Sequence, residues 1–219
     1  IGRKPGLFMK LLDQLERRHP NWGIPNLMMH ITILTAIVYI MSLFRIDFVN
    51  FLYLTRAGVL QGQVWRLITF VLVPPSWSPI WILFILYLYY FIGNTLESTW
   101  GTLKFTAYYG ICILATIAAA MIFGGGYDGT YVNLSLFLAF AFLYPNHEFL
   151  LFFILPVKVK YLAYLDLAFL AISFFTNTLT VKLAIIASLA GFLLFFGPEI
   201  YRRTKMWIRR QKYKNKLRK

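Results

Sequence analysis

The chain has 219 residues, of which 59% are hydrophobic and 14% are charged, with a net charge of +14 and a mean hydropathy of +0.65. A soluble domain is about half apolar and about a quarter charged, so this composition excludes an ordinary soluble domain and favours one polytopic membrane domain. The single cysteine, Cys112, excludes an internal disulfide and a cysteine-rich metal site, and we expect no cofactor.

The N-terminal segment, residues 1–23, contains the stretch MKLLDQLERRH. In a helix, Leu11, Leu12 and Leu15 would share one face, with basic residues elsewhere. That pattern is typical of a short amphipathic helix lying in the membrane interface.

Six later stretches are candidates for membrane-spanning helices, because a span needs about 20 mostly apolar residues. The predicted spans are residues 24–44, 79–96, 103–123, 131–145, 159–175 and 180–196. Charges, glycines and a proline pair interrupt residues 45–78, so we expect short interfacial helices there. Residues 24–197 are therefore predicted to form a six-span, all-helical membrane domain with a long amphipathic first loop.

The fourth span is unusually short. Its helical part, Tyr131 to Tyr144, would be about 21 Å long, whereas the hydrocarbon layer is about 30 Å thick. A short span needs other helices around it if its recessed end is to be reached by water. We therefore predict that this helix is central.

The distribution of basic residues predicts the orientation of the chain. With six spans, both termini lie on one side, and 18 of the 22 lysines and arginines fall on that side. Basic segments remain cytoplasmic, so we expect cytoplasmic termini, in a bacterial cytoplasmic membrane.

The basic tail, residues 198–219, is predicted to begin where Gly197-Pro198 ends the sixth span. It either lies on the inner leaflet or is disordered. Anionic lipid headgroups are its expected partners, and no recognition motif accompanies the charge, which argues against nucleic acid.

Several motifs, in order, resemble the rhomboid superfamily of intramembrane serine proteases and their inactive relatives, which include derlins. These motifs are QVWRLITF at residues 63–70, FIGNTLESTWG at residues 91–101, LYPN followed by FFILPVKVKYLA, and ASLAGFLLFF in the last span. The resemblance covers about residues 24–197 and implies a six-helix fold. It also implies that Trp65 and Arg66 brace the first loop and that Glu97, Trp100 and Gly101 shape the turn after the second span. The alternative is that the charged members are solvated interface residues.

The resemblance also implies where catalytic groups should stand. The family serine, in a Gly-x-Ser-Gly context, corresponds to Thr130, and the family histidine of span six corresponds to Ser188. The histidine and asparagine that hold the oxyanion correspond to Trp81 and Ile85. All four positions carry other residues, which predicts a protein that has lost catalysis.

Ser135 is the remaining candidate nucleophile on the fourth span. A serine needs a base within about 3 Å to become reactive. The three histidines, His19, His30 and His147, are predicted near the cytoplasmic ends, on the order of 15–20 Å from Ser135 for the latter two. We therefore expect Ser135 to be a packing hydroxyl, with an unusual serine protease as the alternative.

Three other features are candidates for packing or function. Asn133 is expected to hydrogen-bond to a neighbouring helix. Ala184, Ala187 and Gly191 recur at helical spacing, which indicates either close contact between spans four and six or a generic packing face. Asp166 is predicted roughly 9 Å inside span five, where it is either a functional acid or a hydrogen-bonded or snorkelling acid near the cytoplasmic interface.

These features together predict an inactive rhomboid-like protein whose partners are lipids and the transmembrane helices of client proteins. The amphipathic first loop and the short fourth span would thin the bilayer locally, which lowers the cost of holding a polar client helix. An intramembrane protease using Ser135 or Thr130 is the alternative. A small transporter or channel is disfavoured, because no pair of interrupted spans or inverted repeat is visible.

Overall fold

The structure, a computed structural model, describes residues 7–18, 22–44, 47–151 and 155–217. It is mostly helical. The helices are α1 Leu7–Arg18, α2 Leu27–Phe44, α3 Asp47–Asn50, α4 Arg56–Leu60, α5 Arg66–Thr69, α6 Pro79–Trp100, α7 Thr102–Phe123, α8 Thr130–Leu143, α9 Val159–Thr176 and α10 Leu179–Leu217. A 3-10 turn, Phe70–Leu72, follows α5, and the strands are β1 Leu54–Thr55, β2 Gly126–Tyr127, β3 Glu148–Leu151 and β4 Leu155–Lys158.

Four helices in the described part of the chain are long and apolar enough to cross a membrane: α2, α6, α7 and α9. A fifth span is available if the two parts of α10 are counted as one, since this helix bends by 50° between Ala187 and Leu189. The chain is thus compatible with an integral membrane protein, as its composition predicted. Helix α8 is apolar but has only 14 residues, in agreement with the short helix expected there.

The predicted end of the last helix at Gly197-Pro198 is wrong. Helix α10 continues through Pro198 to Leu217 and has 39 residues, or about 58 Å of helix. A proline in a helix interior removes one backbone hydrogen bond and is unfavourable there. Helical turns nevertheless continue on both sides of Pro198. The basic segment is therefore a helical continuation of α10 up to Leu217.

Side-chain contacts gather several helix ends at one end of the bundle, here called the basic end. Lys104 Nζ, near the start of α7, lies 2.6 Å from Asp13 and 2.8 Å from Glu16 of α1. The backbone N–H of Asn26 donates to Glu97 Oε1 at 3.0 Å, which joins the start of α2 to the end of α6. The hydroxyls of Thr99 and Tyr144 lie 2.7 Å apart and place the end of α8 there too.

The turn between α6 and α7 is built by the predicted motif residues. Glu97 Oε1 also accepts a hydrogen bond from the Thr102 hydroxyl at 3.1 Å. Gly101 has a φ of +90°, a left-handed conformation that favours glycine at this turn, and it lies against the carboxylate end of Glu16 of α1. The Trp100 ring packs 5.4 Å from Tyr108 and 5.7 Å from Phe195, centroid to centroid, and ties α6 to α7 and α10.

The opposite end of the bundle is formed by the first loop and the α7–α8 connection. Strands β1 and β2 pair antiparallel, with Leu54 opposite Tyr127. Gly129 lies against the backbone of Val71, where a Cβ would approach the Val71 Cα to 2.9 Å. The Tyr127 hydroxyl donates to the carbonyl of Thr180 at the start of α10 at 3.4 Å. This strand pairing had no signal in the sequence beyond a glycine-rich loop.

Helix α8 lies in the centre of the bundle, as its length predicted. It contacts α6, α7, α9 and α10, and most of its residues are buried. The buried set is Val132, Asn133, Ser135, Leu136, Leu138, Ala139, Phe140 and Ala141. A helix that is apolar and buried on nearly all sides is enclosed by its neighbours.

The first loop is held by side chains from α5. Arg66 is 7% exposed and donates to the carbonyls of Asn50 and Tyr53, at 2.9 and 2.6 Å. Trp65 Nε1 donates to the Phe51 carbonyl at 3.2 Å, and the Thr69 hydroxyl donates to the Leu52 carbonyl at 3.3 Å. Four consecutive carbonyls, residues 50–53, are thereby satisfied without regular secondary structure.

Strands β3 and β4 form an antiparallel pair between α8 and α9 that the sequence did not predict. Glu148 lies opposite Lys158, with Lys158 Nζ 3.8 Å from the Glu148 carboxylate. The stretch EFLLFFILPVKVK is apolar nearly throughout. Without strict alternation of polar and apolar residues it resembles the start of a span as much as a strand.

We expect Arg66→Ala to lower the stability of the folded protein by about 3 kcal/mol or more, because hydrogen bonds to a charged group contribute about 1.5–3 kcal/mol each and two carbonyls lose their donor. Thermal unfolding of the purified protein in detergent measures the effect. Arg56→Ala is the matched control, since Arg56 is exposed on the neighbouring helix. Equal melting temperatures for the two variants would contradict the role of Arg66.

Candidate functional site

Ser135 lies in a polar contact between α8 and α7. Its side chain is fully buried, and its hydroxyl lies 2.8 Å from the Tyr108 hydroxyl and 3.9 Å from Cys112 Sγ. Tyr108 donates its own proton to the Ser135 carbonyl at 2.9 Å. The Ser135 hydroxyl therefore donates to the Tyr108 oxygen, because a tyrosine hydroxyl has one proton to give.

A second polar contact lies two residues earlier on the same helix. The Tyr109 hydroxyl donates to Asn133 Oδ1 at 3.1 Å. Tyr89 of α6 lies close to the Asn133 side chain. Asn133 is therefore placed where α6, α7 and α8 meet, and together with the Ser135 contact it forms what we call the tyrosine seam: Tyr89, Tyr108, Tyr109, Asn133 and Ser135.

The two histidines in the described part of the chain lie at the basic end. His147 follows the end of α8 and stacks on Phe91 at 5.2 Å between ring centroids. His30 Nδ1 lies 2.9 Å from the Asn26 carbonyl, next to the contact between Asn26 and Glu97. Ser135 is eight residues before the end of α8, or about 12 Å along its axis. His19 lies outside the described residues.

A cavity of about 210 Å³ opens at the end of the bundle opposite the basic end, and we call it the outward cavity for that reason. It lies between the α7–α8 connection and the starts of α8 and α10. Its lining includes Tyr127, Asp128, Tyr131, Thr180, Val181 and Ala184. The hydroxyl of Ser135 belongs to the seam below this cavity, not to the lining.

Asp128 supplies the negative charge of the cavity. Its Oδ1 accepts the backbone N–H of Thr130 at 2.9 Å, at the start of α8, where a carboxylate is favourable. Burial, and to a smaller extent the Asp128 charge, raises the pKa of the Tyr53 hydroxyl in the first loop. Burial likewise raises the pKa of Tyr127. Both phenols stay neutral near neutral pH and act as hydrogen-bonding groups.

The positions that the resemblance assigned to lost catalytic groups lie on three helices, α6, α8 and α10. Thr130 is the first residue of α8, beside Asp128. Trp81 is 49% exposed and contacts Phe84 of its own helix, with ring centroids 6.3 Å apart. Ile85 is half-buried on α6. Ser188 lies at the bend of α10, and its side chain is outside the described part of the structure.

The small residues of α10 face two helices. Helix α10 contacts α8, the helix expected for these residues, and also α7, where a Cβ at Gly191 would clash with Cys112 Sγ. Ala184 is buried and lines the outward cavity beside Tyr131 of α8, whereas Ala187 is half-buried. Gly191 therefore allows close approach between α10 and α7.

Asp166 lies on the buried face of α9. It is 7% exposed, and neither carboxylate oxygen has a hydrogen-bond partner among the described residues. It is seven residues from the start of α9 at Val159, or about 10 Å along the helix. Asp166 therefore lies about two turns into α9, and its assignment as a functional acid stays a prediction.

Sequence reasoning missed the tyrosines that surround α8 and the acid at the cavity. Tyr108 and Tyr109 stand together in an apolar run, TAYYGIC, and Asp128 stands in the loop GGGYDGT. A buried tyrosine needs a partner for its hydroxyl. The adjacent tyrosines were therefore a usable signal for polar groups on a facing helix.

Comparison with known proteins gives no assignment. No protein-family model matches the chain, and the sequence has no significant match among curated proteins.

We expect Tyr108→Phe to destabilise the protein more than Ser135→Ala. The first removes two contacts to α8 and the second removes one, and interhelical hydrogen bonds in membranes contribute about 0.6 kcal/mol each. Melting temperatures in detergent measure both effects. Tyr164→Phe is the control, because Tyr164 is 65% exposed. A loss with Ser135→Ala that exceeds the loss with Tyr108→Phe would contradict this arrangement.

Proposed function

We propose that this chain is a catalytically inactive, rhomboid-like protein of the bacterial cytoplasmic membrane that binds transmembrane segments of client proteins. If α8 is counted as one span and the two parts of α10 together as another, they complete six spans with α2, α6, α7 and α9. We place both termini in the cytoplasm, because the basic end carries Lys104, Lys158 and Lys160 and basic segments stay cytoplasmic.

The observation that carries the proposal is the environment of Ser135. A serine nucleophile needs a base that takes its proton, but the Ser135 hydroxyl is enclosed and bonded to Tyr108. The described histidines lie toward the other end of α8 and contact other groups. This geometry supports a packing role for Ser135.

Client binding is supported by the surfaces that the bundle leaves uncovered. Helix α9 has the smallest buried share of the four long apolar helices, 22% against 28–39% for the others. The first loop exposes Leu60, Val64 and Ile68 beside the anchored Trp65 and Arg66. Exposed apolar side chains in the first loop, next to a short central helix, favour a locally thinned bilayer. A difference between the length of a helix and the thickness of the hydrocarbon layer costs fractions of a kcal/mol per Å.

The lipid partners follow from the charge. Helix α10 carries Arg202, Lys205 and Arg209 beyond the apolar part of the helix. Anionic headgroups attract such residues by about 1 kcal/mol each. We propose that they hold the basic end at the inner leaflet, without a role for nucleic acid.

A fluorophosphonate probe tests the loss of catalysis. We expect the protein in lipid vesicles to remain unlabelled, because no activated serine is formed, and Ser135→Ala to behave in the same way. A known intramembrane serine protease in the same vesicles is the positive control. Labelling that disappears in Ser135→Ala or in Thr130→Ala would establish a protease instead.

Photo-crosslinking tests client binding. A photoreactive residue at Leu165, which is 67% exposed on α9, is expected to capture membrane proteins in native membranes. The matched control is the same residue at Leu114, which is 66% exposed on α7. Capture at Leu165 should exceed capture at Leu114 because α9 is the less covered helix. Equal capture at the two positions would contradict client binding along α9.

A further inference from the structure

An apolar groove opens at the basic end of the bundle, where α8, α9 and α10 meet. Its volume is about 320 Å³, and its lining includes Leu138, Ala141 and Phe142 of α8, Ala163 and Leu167 of α9, and Phe192 of α10. Space left empty beside apolar side chains forfeits their dispersion contacts. In a membrane, a molecule other than these three helices therefore fills the groove.

Lys160 gives the groove a positive charge at one end. It is the second residue of α9, and its side chain is half-buried and lines the groove. Its Nζ lies 5.0 Å from the centroid of the Tyr161 ring. A lysine near a helix end buries its methylene groups along apolar surface and keeps its ammonium group at the interface. The groove therefore begins at the level of the lipid headgroups and continues into the hydrocarbon.

The carboxylates around this end of the groove pair with other bases. The Glu148 carboxylate lies 3.8 Å from Lys158 Nζ, and the Glu199 carboxylate lies 2.7 Å from the Arg202 guanidinium. No carboxylate in the described part of the chain forms an ion pair with Lys160. An anionic group at this end of the groove would therefore meet a positive charge that the described acids leave unpaired.

The length of the groove favours a lipid chain over a second membrane helix. Its lining extends from Lys160 to Leu167 on α9, about 10 Å along the axis, and from Phe192 to Ile200 on α10, about 12 Å. One leaflet of hydrocarbon is about 15 Å thick, half of the whole layer. A transmembrane helix packs along both leaflets, whereas an acyl chain extends through one. The groove therefore matches an acyl chain of the leaflet at the basic end.

We propose that this groove binds one anionic phospholipid, with an acyl chain between α8, α9 and α10 and the headgroup phosphate at Lys160. The inference rests on the proposed function for its membrane setting, and it adds a defined lipid site. An acyl chain gains little on moving from the bilayer into the groove, because both surroundings are apolar. The charge of Lys160 therefore decides which lipid is held. A zwitterionic headgroup carries its own cation beside the phosphate, so the site prefers an anionic one.

The test uses the full-length protein with a photoreactive residue at Leu167, which lines the groove and is 50% exposed. The protein is reconstituted in vesicles of equimolar phosphatidylglycerol and phosphatidylcholine with the same acyl chains, and the intact mass identifies each adduct. We expect about five times more phosphatidylglycerol than phosphatidylcholine adduct, which is the effect of one lysine near a membrane surface. The same photoreactive residue at Leu114 on α7, away from the groove, should capture the two lipids about equally.

Variants of two neighbouring lysines make the test specific. Lys160→Gln should remove the preference at Leu167, and Lys160→Arg should keep it. Lys158→Gln is the matched control, because it removes one positive charge from the same end at a position outside the groove lining. It should leave the preference unchanged. Melting temperatures in detergent verify that the variants fold, and the comparison of Leu167 with Leu114 needs no lysine variant.

The outcomes separate this inference from client binding. Equal capture of the two lipids at Leu167, a preference that survives in Lys160→Gln, or an equal loss in Lys158→Gln would overturn the lipid site. Capture of a second copy of the chain in place of lipid would overturn it as well. Capture at Leu165 in native membranes tests client binding independently. If that capture fails while the preference at Leu167 depends on Lys160, the lipid site is supported and client binding is not.

Discussion

Every backbone carbonyl and amide inside hydrocarbon needs a partner from the protein, because no water is there to supply one. This constraint explains the two irregular parts of the bundle. Residues 51–53, after the end of α3, form no regular structure, and Arg66, Trp65 and Thr69 donate to the four carbonyls of residues 50–53. Helix α8 is shorter than the hydrocarbon layer is thick, and it contacts four other helices. Both parts are stable only because neighbouring side chains replace water.

The same constraint distinguishes the buried polar groups that have partners in the fold from those that do not. Asn133 and Ser135 have partners on adjacent helices, so their cost of burial is offset within the protein. Glu97 bonds to two segments at once and fixes the turn between α6 and α7. The hydroxyls of Thr32 and Thr35 on α2 and the carboxylate of Asp166 on α9 have no such partner among the described residues.

Much of the helical layout could be predicted because apolar stretches of about 20 residues have one stable form in lipid. The first spanning helix was predicted at residues 24–44, and α2 lies at Leu27–Phe44. The central position of α8 was predicted from its short length alone. The tyrosine seam could not be predicted, because the partner of a hydroxyl depends on which helices become neighbours. The proline at residue 198 was misread as a stop, since a helix with enough turns on either side tolerates the loss of one hydrogen bond.

The central claim is that Ser135 is enclosed in the bundle and the outward cavity ends above it. Cysteine accessibility tests this claim most directly, with a membrane-impermeant maleimide added to the outer face of oriented vesicles in a Cys112→Ala background. The account predicts that Asp128→Cys, in the cavity lining, reacts readily and that Ser135→Cys does not react. Reaction of Ser135→Cys at a rate similar to that of Asp128→Cys would contradict it and would reopen the case for a water-accessible nucleophile.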